Sequence, residues 1–228
     1  MRKILTCLWL MLSVFAMTAC GSEDTEPKEP ELPDNENVTD NGTSGRTLIV
    51  FFSWGGNTRG VAEQVHDLIG GDMVEVETVV PYPDTYEEVT KIAPVELAND
   101  FRPELKTKVD NMEEYDILIV GTPIWGSHLA PAMKSFLASY DLSGKTIAPF
   151  CTHGGSGTAQ SVNDIRSVCP DNVTVLESLA IYGNRGASSR NDVERWLNRI
   201  GIIKQLLLSA KTQNLAYTHT HTHASLEK

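Results

Sequence analysis

The chain has 228 residues, 41% hydrophobic and 21% charged, with 19 basic residues against 30 acidic ones and a formal charge of −11. That balance is ordinary for a globular protein and excludes collagen-like, coiled-coil and polytopic membrane classes. The acidic excess lacks the positive field that nucleic acid or an anionic lipid surface requires, so neither is expected as a partner.

Met1-Arg2-Lys3 is a short basic start, and Ile4 to Ala19 is apolar apart from Thr6, Ser13 and Thr18. The stretch is about as long as a signal-peptide core and shorter than the roughly 20 residues of a membrane-spanning helix. It runs into Met17-Thr18-Ala19-Cys20, followed by Gly21-Ser22. This resembles a bacterial lipoprotein signal. The resemblance implies that residues 1–19 are removed, that Cys20 is lipidated, and that the protein is exported. Its only membrane contact would then be the lipid anchor, on a periplasmic or surface face. Without residues 1–19 there remain 209 residues, 17 basic and 30 acidic, and residues 20–45 hold eight of those acids with one base, Lys28. Charged, proline-containing and nearly free of apolar residues, this segment cannot offset its chain entropy by burial and reads as a disordered tether. Residues 46–208 then form one domain within the usual size of about 100–200 residues, and the Thr/His-rich residues 209–228 read as a disordered tail. His219, His221 and His223 alternate there as low-complexity sequence, and no metal site is expected. His66 reads as a surface residue.

Within the domain, Thr47 to Ser53 is a β-branched and aromatic run, read as a strand buried on both faces. Val61, Ala62, Val65 and Leu68 repeat at helical spacing over 57–68. Met73 to Val79 alternates and reads as an edge strand; Tyr86 to Ala98 has helical character that Pro94 is expected to break. Asp116 to Gly121 is the next strand, followed by a helix over 131–140, a strand over 146–151 and a helix around 158–167. Val173 to Ser178 reads as a fifth strand and 191–208 as the last helix. Such alternation with short connections predicts parallel strands with helices on both faces. Cys151 near the end of a strand and Cys169 closing the following helix are expected to stay unpaired. Ten helical residues rise about 15 Å, whereas a disulfide needs Cα atoms within about 7 Å.

Ligands of open parallel sheets sit beyond the C-terminal ends of the strands, so the loops there carry the functional reading. Ser53-Trp54-Gly55-Gly56-Asn57-Thr58 leads straight into a helix. It offers two hydroxyls, a side-chain amide and glycine-freed backbone N–H groups at a positive helix end, an anion site suited to a terminal phosphate without Lys or Arg. A Walker loop would need a lysine here, and the Gly-x-Gly-x-x-Gly fingerprint is absent. Gly154-Gly155-Ser156-Gly157-Thr158 is not a nucleophile elbow, because Thr158 stands where glycine is required. After the third strand, Thr122-Pro123-Ile124-Trp125-Gly126 supplies an indole able to stack on a flat ring. After the fourth, Thr152-His153-Gly154-Gly155-Ser156 supplies a rim of backbone donors. His153 and, less directly, His128 are further polar candidates at these loops. Phosphate cradle, stacking face and rim together suit a planar mononucleotide.

These three motifs, in this order, resemble the flavodoxin family, over roughly residues 46–207. The resemblance implies a doubly wound five-stranded parallel sheet of order 2-1-3-4-5, with helices on both faces, binding FMN. Ser53, Trp54, Gly55, Gly56, Asn57 and Thr58 would hold the phosphate. Thr122, Pro123, Ile124, Trp125 and Gly126, with Thr152, His153, Gly154, Gly155 and Ser156, would frame the isoalloxazine. Gly126 stands where the related bacterial branch often has a second tryptophan, and the 152–157 loop has no aromatic, so one ring face is expected to be open. Tyr82 and Tyr86, in the long 81–110 segment, are candidates to cover the site. The implied function is electron transfer or flavin-dependent reduction of a small acceptor such as a quinone. A flavin-free surface binding module on the same scaffold is the alternative, and no catalytic residue is identified.

Overall fold

A computed structural model describes residues 45–204. The signal-like segment, Cys20, the acidic tether and the Thr/His tail lie outside the described residues. In chain order the elements are β1 (Arg46–Phe51), α1 (Asn57–Ile69), β2 (Asp72–Glu75), α2 (Tyr86–Ala98), β3 (Tyr115–Trp125) and β4 (His128–Leu129). They continue with α3 (Pro131–Ala138), β5 (Thr146–His153), α4 (Ser161–Val168), β6 (Thr174–Val175), β7 (Leu179–Tyr182) and α5 (Arg190–Arg199). The main path of the sheet is β2-β1-β3-β5-β6, all parallel. β4 folds back on β3, and β7 lies parallel on β5.

The seven strands therefore occupy the five expected parallel positions plus one short hairpin partner. The fifth position is split. Ile147 pairs with Val175 and Phe150 with Leu179, so the edge chain carries one residue more than β5 between these two pairings. At the break, the Glu177 carbonyl accepts the indole N–H of Trp196 at 2.8 Å instead of a ladder bond. The edge position thereby reaches Tyr182, past the predicted end at Ser178.

β1 and the first half of β3 are buried on both faces, as their apolar runs require. One face packs Leu48, Val50, Leu118 and Val120 against Met133, Phe136 and Leu137 of α3. The other packs Ile49, Phe51, Ile119 and Phe150 against Val61 and Val65 of α1 and Trp196 of α5. Gly121 is forced by this packing, since a Cβ there would lie 2.2 Å from the Phe150 ring.

Other boundaries also differ from the sequence expectation. β2 ends at Glu75, because the Glu77 N–H donates to Thr107 Oγ1 at 2.7 Å and Thr78 pairs with Leu105, so the returning segment takes over from β1. α2 runs through Pro94 without stopping; Thr90 and Pro94 are both exposed, so the carbonyl left without an N–H partner faces water. β3 continues to Trp125 and turns back through Gly126 (φ 50°) and Ser127 (φ 72°), the two left-handed residues of a tight hairpin. The last helix is interrupted: α5 stops at Arg199, Gly201 follows at φ 81°, and helix resumes over 202–204 at the limit of the described residues. Among the described residues no helix is long and apolar enough to cross a membrane. Cys151 and Cys169 are free thiols, as expected, and burial pushes them up to about 12 and about 11.

Candidate functional site

The parallel order brings the ends of β1, β3, β5 and β7 to one edge. After β1, Gly56 at φ 82° reverses the chain, and neither Gly55 nor Gly56 has a neighbour within 4 Å of where a Cβ would stand. The left-handed turn aims the chain into α1 and leaves open space above it. Ser53 Oγ accepts the Arg59 N–H at 3.2 Å, and the Gly60 N–H donates to the Gly56 carbonyl at 3.0 Å. The first-turn N–H groups of Asn57 and Thr58 have no intrahelical acceptor. Thr58, 1% exposed, shares a 2.9 Å hydroxyl–hydroxyl bond with Thr152 at the end of β5. This bond ties the first loop to the last turn of the sheet. The Arg59 guanidinium is engaged in a two-pronged pair with Glu75 at 2.8 and 2.8 Å. The positive potential of the cradle is therefore that of the helix end.

The rim after β5 is open. Gly154, Gly155 and Ser156 are exposed, and a Cβ at Gly154 or Gly155 would meet nothing within 4 Å. The Gly155 N–H donates to His153 Nδ1 at 3.0 Å, which fixes that nitrogen as an acceptor, and the imidazole meets Tyr182 edge-on at 5.7 Å.

The turn after β3 is built otherwise. The Thr122 hydroxyl is spent inside the fold, donating to the Pro123 carbonyl at 2.9 Å and accepting the Ala130 N–H at 3.3 Å. Pro123 and Ile124 are half-buried strand residues, and Gly126 is an exposed turn residue that a side chain would drive into Leu97, 2.7 Å away. Trp125 is 9% exposed and meets Phe52 and Tyr82 edge-to-face, at 5.6 and 4.8 Å. Its indole is thus part of a packed aromatic cluster on the β2 side of the edge. Trp54 donates its indole N–H to the Pro83 carbonyl at 2.7 Å and lies 6.3 Å from the exposed ring of Tyr86. Tyr82 donates to Glu96 at 2.8 Å; burial raises both groups above their ordinary values. A cavity of about 590 Å³ opens beside the first loop over Phe52, Ser53, Trp54 and Tyr82. His128 faces away, holding Asp164 at 3.1 Å, and His66 is exposed on α1.

One contributor is missed by the sequence reading. The short helical turn Gly183–Ser188 packs on the start of α1 so tightly that a Cβ at Gly186 would lie 2.4 Å from the Asn57 carbonyl. Gln64, 8% exposed, clasps it by donating to both the Gly60 and Gly186 carbonyls at 2.5 Å, and Ser189 Oγ donates to the Gly186 carbonyl at 2.9 Å. The signal was present as two glycines following the last strand. Placing that strand to end at Ser178 kept it away from the site edge.

The flavodoxin family pattern matches residues 46–200. No curated protein matches the chain. A provisionally assigned flavoprotein of Bacteroides eggerthii superposes with a TM-score of 0.61 at 26% identity, covering 69% of this chain and 98% of its own. One from Bacteroides uniformis gives 0.60 at 26% identity, over 68% and 99%. A Lactobacillus acidophilus flavoprotein, solved with FMN, gives 0.54 at 21% identity, over 67% and 98%, and shares the fold. With a family match over most of its length and the family's strand order at its core, the chain belongs to the flavodoxin family.

Proposed function

We propose that this protein binds FMN and works in electron transfer or in flavin-dependent reduction of a small acceptor such as a quinone. The observation that carries the reading is the first-turn cradle: unpaired N–H groups of Asn57 and Thr58, open space above Gly55 and Gly56, and the Thr58–Thr152 hydroxyl pair. The cradle fits a phosphate dianion, and the neighbouring Glu75 carboxylate is held by Arg59. In this reading Ser53 to Thr58 take the phosphate, and the 124–126 turn and the 152–156 rim border the ring. Bound flavin would supply one- or two-electron chemistry; the chain supplies binding, orientation and exclusion of water. The open rim at Gly154–Ser156 leaves a path for an acceptor. We further propose, from Met17-Thr18-Ala19-Cys20, that the protein is exported and anchored by lipid on Cys20. Loss of fatty-acid labelling in Cys20→Ala would support the anchor, and unchanged labelling would remove it.

The deciding experiment is direct. The domain should purify yellow or quench the fluorescence of added FMN, and Ser53→Ala with Thr58→Ala should weaken FMN far more than riboflavin. A protein that stays colourless after FMN addition and dialysis is a flavin-free binding module. Equal weakening of both flavins would place the phosphate elsewhere.

A further inference from the structure

β3 and β5 pair only as far as Pro123 opposite Thr152. Past that pair β3 turns away into the Gly126–Ser127 hairpin and β5 ends at His153, so no β3–β5 ladder bond spaces the 124–126 turn from the 152–156 rim. Two loops that border one ligand keep a fixed separation only when other bonds lock them. Those bonds come from α4, the helix into which the rim loop leads. Over one turn, from Gln160 to Asp164, it meets three successive residues of the hairpin's return arm. The Gln160 N–H donates to the Ser127 carbonyl at 2.9 Å. The Leu129 N–H donates to Asp164 Oδ2 at 2.8 Å, and the His128 imidazole donates through Nδ1 to both carboxylate oxygens, at 3.1 and 3.2 Å.

The Asp164 side chain is 16% exposed and Leu129 is fully buried, so the carboxylate sits in a shielded seam where charge-assisted bonds are strong. The hairpin register shows what this seam acts on. His128 is the cross-strand partner of Trp125, and Leu129 that of Ile124. The two residues held by Asp164 therefore lie one rung from two residues that border the ring in the proposed binding mode. On its other side Asp164 belongs to the first turn of α4, where its N–H donates to the Gln160 carbonyl at 2.9 Å at the end of the rim loop. One side chain thus joins both borders of the ring slot. None of these bonds involves residues 53–58 of the phosphate cradle.

We propose that Asp164 is a positioning residue for the flavin ring: by tying α4 to His128 and Leu129 it sets the separation between the 124–126 turn and the 152–156 rim. The inference rests on the FMN reading and adds that ring and phosphate are held by separate devices. The test uses the full chain, titrated with FMN and with riboflavin where circular dichroism shows each variant folded. Asp164→Ala weakens both flavins by the same factor, roughly tenfold, the value of one charge-assisted hydrogen bond, and shifts the absorption band of the bound ring. Asp164→Asn keeps an oxygen for the Leu129 N–H and recovers most of that loss. His128→Ala removes one arm and costs roughly threefold. In the flavin-free chain, Asp164→Ala moves the amide NMR signals of Trp125 and Gly126 together with those of Gly154 and Gly155. Unchanged riboflavin affinity, a loss confined to FMN, or amide shifts confined to α4 overturns the proposal; a lower melting temperature with both affinities intact assigns Asp164 to stability alone and overturns it too. A wild type that binds neither flavin defeats the FMN reading itself, whereas a wild type and an Asp164→Ala variant that bind both equally well defeat only the clamp. Should Asp164→Ala fail to fold, His128→Ala decides, and its unchanged riboflavin affinity overturns the proposal.

Discussion

The two sides of the candidate cleft are made of different material. The first loop and the rim after β5 are backbone: glycines with empty space around them, helix-end N–H groups, and one buried hydroxyl pair between Thr58 and Thr152. The turn after β3 is side chain: Trp125 wedged edge-on between Phe52 and Tyr82, with Leu97 against Gly126. Backbone donors keep their geometry whatever the neighbouring side chains do, which suits a fixed phosphate. An aromatic cluster is held by contact area and loses its shape when one member goes.

The largest effect expected from that contrast is in Trp125→Ala. Truncating a buried aromatic should cost about 3–5 kcal/mol in urea unfolding, with the preference for FMN over riboflavin nearly unchanged. A loss under about 1 kcal/mol, with collapse of flavin binding, would mean that the indole serves the ligand rather than the core. Gly186→Ala attacks the backbone side. The added Cβ falls 2.4 Å from the Asn57 carbonyl, so the 183–188 turn must lift off α1 at about 1–3 kcal/mol, typical of overpacking. FMN affinity should fall with it, and an unaltered FMN titration would show that the turn does not position the cradle.

Smaller still is Thr58→Ala, which removes the bond to Thr152 and should cost about 1 kcal/mol in thermal or urea unfolding. The smallest effect concerns Glu96, raised by burial from its ordinary 4.5 and partly held back by the bond from Tyr82. A carboxyl with a raised folded value stabilises the fold only while protonated. Its contribution is full below 4.5 and is lost as pH climbs through the folded value. Glu96→Gln should therefore melt slightly higher than the parent at neutral pH and match it at pH well below 4.5. A gain that persisted at acid pH would assign it to packing.

Much of this was readable residue by residue. The both-face-buried β1, the glycine turn before Asn57 and the alternation of strands and helices follow from local pattern, because burial and φ preference act over a few neighbours. Pro94 misled because a helix keeps its course when the orphaned carbonyl is in water. The fifth strand was placed too early because its break depends on Trp196, some twenty positions later, taking the Glu177 carbonyl. The position of Thr122 and Trp125 after the third strand was legible, whereas their partners inside the fold, Ala130 and Tyr82, were not.

By itself, then, the sequence determined the strand–helix alternation, the glycine-rich turns and the family's order of motifs, all properties of short windows. Tertiary structure decided which polar groups were already spent and which remained unpaired, as at Thr122 against Asn57. It also set the 183–188 turn against the start of α1. Hydrogen-bond satisfaction is settled between residues distant in the chain, and no local pattern records it.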